Sequence, residues 1–148
     1  MGLFDSFNIS ASGLTAQRYR MDVIAENVAN ANTTRTEDGT PYKRKIVTFE
    51  EKNGGTPTFS TIFGRTAEKY NSKGVKVSGT FEDKSEGNMV YDPSHPDADE
   101  NGYVTYPNVN IITEMTNLID ASRSYEANAT AFDASKQIAQ KGLQMGNG

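Results

Sequence analysis

The sequence predicts an α+β fold in which long N- and C-terminal helices pair as an α-helical coiled-coil stalk around a small β-rich middle domain. Three observations carry this. The first and last stretches of the 148 residues are almost free of proline and glycine. Both stretches repeat apolar residues every seven positions, and the middle is rich in Gly, Thr, Ser, Asn and Pro with short alternating runs. Seven-residue spacing marks a helical seam, whereas alternation marks strands. The expected division is a helical rod domain of 1–32 plus 108–148, and an inserted β-rich domain of 33–107.

From 4 to 31 the only glycine is Gly13. Phe7, Leu14, Met21 and Val28 recur as one row, with Ala11, Ile24 and Ala25 beside it. Asp5 or Ser6 suits the cap of this helix, and Asn30, Asn32, Thr33 and Thr34 supply turn chemistry at its end. In the middle, Lys45-Ile46-Val47-Thr48-Phe49, Thr58 to Phe63, Val75 to Phe81 and Met89-Val90-Tyr91 read as strands. Turns fall at Asn53-Gly54-Gly55, Lys73-Gly74 and Glu86-Gly87-Asn88. Few large apolar residues back these strands, so hairpins or a small antiparallel unit are expected. In the last zone Ile111, Leu118, Tyr125, Phe132 and Ala139 form one row, and Met115, Ser122, Ala129 and Leu143 form its neighbour, interrupted by Lys136. Pro107 precedes this helix, and Asn108 or Asn110 suits its cap. Such thin rows, rich in alanine and serine, need more helices than two to be well covered. A self-assembling, polymerising subunit follows as the expectation.

Composition narrows the function. Hydrophobic residues are 35% of the chain, enough for one modest core. A net charge of −4 argues against a partner that is nucleic acid. Without cysteine there are no disulfides or thiolate metal sites. No apolar run is long enough for a direct membrane span. The start, Met1-Gly2-Leu3-Phe4-Asp5-Ser6-Phe7, lacks a basic stretch and a continuous apolar stretch, so exit by the general secretion route is not expected. Its Met-Gly opening with Ser6 also carries the glycine and serine of a myristoylation pattern.

Each candidate site was weighed against a plainer role. Asp97-Ala98-Asp99-Glu100-Asn101-Gly102 matches half a calcium loop, but Asn108 stands where a closing glutamate belongs, so a polar turn is expected. His95 has no second histidine nearby and reads as a turn residue. Tyr42-Lys43-Arg44-Lys45 reads as a solvated strand edge. Glu50 and Glu51 point to opposite faces of a strand and cannot flank one glycosidic bond. No catalytic, cofactor or metal residues are expected, and the chain is read as no enzyme. Asn27 and Asn30 suit a helix end, and their amides also suit subunit contacts, with a role inside the subunit favoured. A coiled-coil adaptor that binds a partner's helices is the alternative of a different class.

Two stretches are more specific. Ser12-Gly13-Leu14-Thr15-Ala16-Gln17-Arg18, leading to Ile24-Ala25-Glu26-Asn27-Val28-Ala29-Asn30-Ala31-Asn32-Thr33, resembles the N-terminal signature of flagellar rod and hook proteins. Asn101-Gly102-Tyr103-Val104, Tyr106-Pro107-Asn108-Val109-Asn110 and Ser122-Arg123-Ser124-Tyr125-Glu126-Ala127-Asn128 resemble the proximal-rod members of the flagellar basal-body rod protein family. Tyr91 through Asp99 fits the same members, and 52–86 carries no motif. The resemblance implies a structural subunit of the periplasmic rod in the basal body, transmitting motor torque toward the hook and exported by the flagellar type III apparatus. It implies as partners other copies, other rod proteins, the adaptor to the inner-membrane ring and the export apparatus, with no cofactor. The expected subunit interface comprises Phe7, Leu14, Met21, Ile24, Asn27, Val28, Asn30, Ile111, Met115, Leu118, Ser122, Tyr125, Ala129, Phe132 and Ala139.

Overall fold

A computed structural model describes residues 3–52 and 74–146. The expected strand Thr58 to Phe63, the turn at Asn53 and the residue Lys73 lie outside them. Helix α1 runs Leu3–Ala29, followed by strands β1 (Lys45–Glu51), β2 (Val75–Glu82), β3 (Asn88–Tyr91) and β4 (Tyr103–Tyr106), and by helix α2 (Ile111–Gly146). The order confirms α+β, with two long terminal helices and a small two-sheet region between them. β1 pairs with β2 and β3 with β4. The Lys52 N–H bonds Gly74 C=O at 2.9 Å and the Asp83 N–H bonds Arg44 C=O at 2.7 Å, so β1 and β2 run antiparallel. β3 and β4 are antiparallel in the register Asn88 to Tyr106 and Tyr91 to Tyr103.

β4 is a strand that the alternation count passes over. Tyr-Val-Thr-Tyr has β-forming chemistry but is only four residues long, and Pro107 follows at once. What makes it pair is the loop before it. Asp99 Oδ1 accepts the Asn101 and Tyr103 N–H groups at 2.9 and 2.8 Å. Gly102 sits at φ 83, which turns the chain back onto β3. Asp92 accepts the Ser94 hydroxyl at 2.6 Å and the Ser94 N–H at 3.1 Å. Those two bonds, the hydroxyl first, hold the Asp92 carboxyl below the usual range. The loop is a set of acid-capped turns.

The chain divides into two compact units. One takes 1–18, 49–78 and 122–148; the other takes 19–48 and 79–121.

In the first unit the helices meet at Phe7 and Phe132, whose rings lie edge to face with centroids 5.0 Å apart. One and a half turns on, Gly13 faces Asn128: a β-carbon there would stand 2.5 Å from its Oδ1 and 2.8 Å from its Cγ. Rising numbers on α1 meet falling numbers on α2, so these stretches are antiparallel. Ser12 ties α1 to β2, because its hydroxyl donates to Ile9 C=O at 2.7 Å and accepts the Val75 N–H at 3.0 Å. The best-covered positions of α1 are not the row Phe7, Leu14, Met21, Val28, which is half-buried. They are Ser10, Gly13, Ala16, Val23, Ile24 and Asn27. Small residues let a neighbouring backbone approach closely, so the first half of the covered stripe, Ser10, Gly13 and Ala16, carries little side chain.

In a helix interior glycine is about 1 kcal/mol worse than alanine, so Gly13 is tolerable for the space it leaves. Gly13→Ala should destabilise the chain by about 1–3 kcal/mol through overpacking. The double change Gly13→Ala with Asn128→Ala should recover most of that loss in chemical denaturation. A purely additive pair would contradict the packing contact.

Candidate functional site: a buried polar hub and an open helix face

In the second unit α1 ends beside the start of α2 and of β1, and one asparagine joins all three. Asn27 is 0% exposed. Its Oδ1 accepts the Lys45 N–H at 2.9 Å and the Tyr42 hydroxyl at 2.9 Å. Its Nδ2 donates to Lys45 C=O at 2.9 Å and to Glu114 Oε2 at 3.0 Å. A primary amide offers two acceptor and two donor places, and all four are used inside the chain. By binding both the N–H and the C=O of Lys45, the side chain extends the β ladder where the strand begins.

Glu114 lies in the first turn of α2 and is 1% exposed. It accepts Arg44 Nε at 2.8 Å as well as the Asn27 amide. A carboxylate in a first helical turn also meets the positive end of the helix dipole. Arg44 reaches Asp83 at 3.5 Å on its other side, and its own N–H binds Asn108 Oδ1 at 2.9 Å. The Asp83 carboxyl is held below its ordinary value chiefly by the Ser85 N–H, then by the Ser85 hydroxyl, with Arg44 adding to both. Lys45 pairs with Glu26 across the same junction. Asn108 therefore serves the hub, and Asn110 caps α2, accepting the Ile112 and Thr113 N–H groups at 3.0 and 3.2 Å. Asn30 closes α1: its amide donates to Glu26 C=O at 3.0 Å and accepts the Thr33 hydroxyl at 3.1 Å.

The sequence-expected interface residues thus separate. Ile24 and Asn27 are buried within the chain, and Asn30 is half-buried in the helix-end turn. Phe7, Leu14, Met21, Val28, Leu118, Ser122, Tyr125, Ala129, Phe132 and Ala139 are half-buried, while Ile111 and Met115 are exposed. Ile112 and Ile119 are exposed beside them and were not expected. Their row runs on into Glu126 and Asp133, so the heptad count never singles it out.

Other candidates resolve into local structure. Asp97 accepts the Thr34 hydroxyl at 2.7 Å and stands 3.7 Å from Arg35. His95 Nδ1 accepts the Asp97 N–H at 3.1 Å. Among the described residues no group of His, Asp and Glu gathers to hold a metal. Glu50 pairs with Lys76 across the sheet at 2.7 Å, and that hydrogen-bonded charge lowers its pKa, helped by Ser78. No helix among the described residues is long and apolar enough to cross a membrane.

A buried hub joining two terminal helices, with apolar helix face left open, fits the class of structural subunits. The family described as flagella basal body rod protein matches residues 7–35, and that described as flagellar basal body rod FlgEFG protein C-terminal matches 100–145. The flagellar basal-body rod protein FlgC of Bacillus subtilis is 45% identical over 152 residues, covering 99% of each chain. That of Borreliella burgdorferi is 42% identical, covering 97% of each, and that of Escherichia coli O157:H7 is 38% identical, covering 99% of each. The chain belongs to the FlgC family of flagellar basal-body rod proteins. It is a structural component of the basal body and not an enzyme.

Two outcomes test the hub. Burial, more than the nearby Glu26, Glu114 and Glu82 charges, pushes the Tyr42 hydroxyl from the ordinary phenol value of 10.0 up to about 12. A phenol whose folded pKa is raised contributes stability present below the unfolded value and lost as pH rises through the folded one. The stability from Tyr42 should therefore fade between about pH 10 and 12. In an ultraviolet titration a late tyrosine ionisation is expected, and Tyr42→Phe should remove that late step. Asn27→Asp would set two carboxylates about 3.0 Å apart and leave Lys45 C=O without its donor. A loss of at least about 3 kcal/mol is expected in urea unfolding, more than for Asn27→Ala.

Proposed function

We propose that this chain is a self-assembling subunit of the proximal rod, the segment of the axial drive shaft that carries motor torque toward the hook. One observation carries the reading. The first two to three turns of α2, beginning at the hub, leave Ile111, Ile112, Met115 and Ile119 in solvent, while Glu114 and Ala121 on the same stretch are buried. An uncovered apolar strip beside a rigid joint is what a packed array of copies uses. In this reading 1–32 and 108–148 form the helical layer of the array, as a coiled-coil stalk, and 33–107 forms the lobe around it. The contacts of Phe7 with Phe132 and of Gly13 with Asn128 support antiparallel pairing within that layer.

The half-buried rows of Phe7, Leu14, Met21 and Val28 and of Leu118, Ser122, Tyr125, Ala129, Phe132 and Ala139 pack between helices, within a copy and across copies. Ile111 and Met115 face neighbours directly. Ile24, Asn27 and Asn30 act from within, by fixing the angle at which α1 leaves the hub. Other rod proteins and the adaptor to the inner-membrane ring are the partners at the ends of the array. Type III export delivers the chain, and it suits terminal helices that gain most of their cover only after assembly.

Met115→Asp with Ile119→Asp tests this directly. Both positions are exposed, so the purified variant should unfold within about 1 kcal/mol of the parent. It should nonetheless be missing from isolated basal bodies and should not restore swimming, because packing would bury unpaired charge. Normal incorporation of that variant would refute the assigned face.

A further inference from the structure

The two ends of α2 are chemically matched to each other. At its start lies an open groove of about 700 Å³, floored by Pro107, Val109 and Ile112 and edged by Glu86 and Asn88. Ile112 is 78% exposed there. At its other end Ile138, Leu143 and Met145 stand in solvent, and Leu143 is 71% exposed. That last stretch carries Lys136 and Lys141 and no acidic residue after Asp133. The groove has the opposite sign, because Glu86 is the one charged residue among those that line it. Among the described residues Glu86, Lys136 and Lys141 form no ion pair within the chain.

Both surfaces lie on one continuous helix of 36 residues, which presents them at opposite termini. We propose that the groove at the start of α2 receives the last turns of α2 from a second copy of this chain. Leu143 and Met145 of the incoming helix cover Val109 and Ile112, and Lys141 faces Glu86. The dipoles run head to tail, so the negative end of one helix approaches the positive end of the next. The two surfaces of the contact are different, which makes it heterologous. A heterologous contact leaves a free groove and a free tail after every addition, so it propagates as a ring or an open helix. This inference rests on the self-assembly proposed above and names one of its contacts.

The absence of native cysteine makes the test direct. Full-length Ile112→Cys and Leu143→Cys chains, together in one flagellate cell, are exposed to a mild oxidant, and basal bodies are isolated. A disulfide-linked dimer containing one chain of each kind is expected, with neither variant alone cross-linking to itself. A chain carrying both cysteines should give a ladder of multimers. Glu86→Lys should lower the mixed dimer about two- to fivefold, and adding Lys141→Glu to the tail-bearing chain should restore it. Both cysteine variants found in basal bodies without a mixed cross-link would overturn this contact and leave the rod reading standing. Cross-linking of Ile112→Cys to itself would also overturn it, in favour of a symmetric pairing. If parent and variants alike are missing from basal bodies, both the contact and the rod reading fall.

Discussion

The structure turns on a single buried amide. Asn27 sits at the last full turn of α1 and binds the first residue of β1, the Tyr42 hydroxyl and the first turn of α2. Each partner would carry a polar group into a dry interior if the amide were absent, and an unpaired buried group costs about 1–3 kcal/mol. The amide therefore fixes where the first helix stops, where the sheet begins and at what point the second helix is held. Glu114 depends on it in turn, since a carboxylate 1% exposed is tolerable only with both Arg44 and Asn27 against it.

Around this junction the apolar contribution is thin. Half of the well-covered positions of α1 are small residues, and among the described residues only Val104 and Ala121 are apolar positions with 0% exposure. A core of that size does not hold two long helices along their length. Specific polar bonds fix the geometry in one place, and shape matching at Gly13 and Asn128 fixes it in another. What remains uncovered on α2 is the surface that the rod reading puts to use.

Much of the fold was legible in the sequence. The helix limits followed from Pro107, the asparagines and the scarcity of glycine, and the strands at Lys45, Val75 and Met89 followed from alternation. The rod family was also legible, because its signature residues lie at the two helix ends. The hub was not. Asn27 could be recognised as a helix-end amide, but its partners lie at positions 42, 45 and 114, and no local pattern links those positions. Tyr42 and Arg44 belonged to a run that reads as a solvated strand edge, yet Tyr42 is buried and Arg44 holds an internal carboxylate. Heptad counting also selected the bulky row of α1, whereas close approach favours the row with Ser10, Gly13 and Ala16. Periodicity reports which side chains are greasy; it does not report which stripe a neighbour's backbone can reach.

The hub's partners are separated widely along the chain, and this has a consequence for the order of events during folding. Loop closure between positions 27 and 114 must precede any benefit from their bond, so this joint forms late. A polypeptide threaded from its amino end would present Asn27 and Arg44 long before Glu114 arrived. Until then Asn27 could bind only Tyr42 and Lys45, and the hub would lack the carboxylate that ties it to the second helix. The joint would tighten only after nearly all of the polypeptide had emerged, leaving a partly emerged chain soft and a complete one stiff.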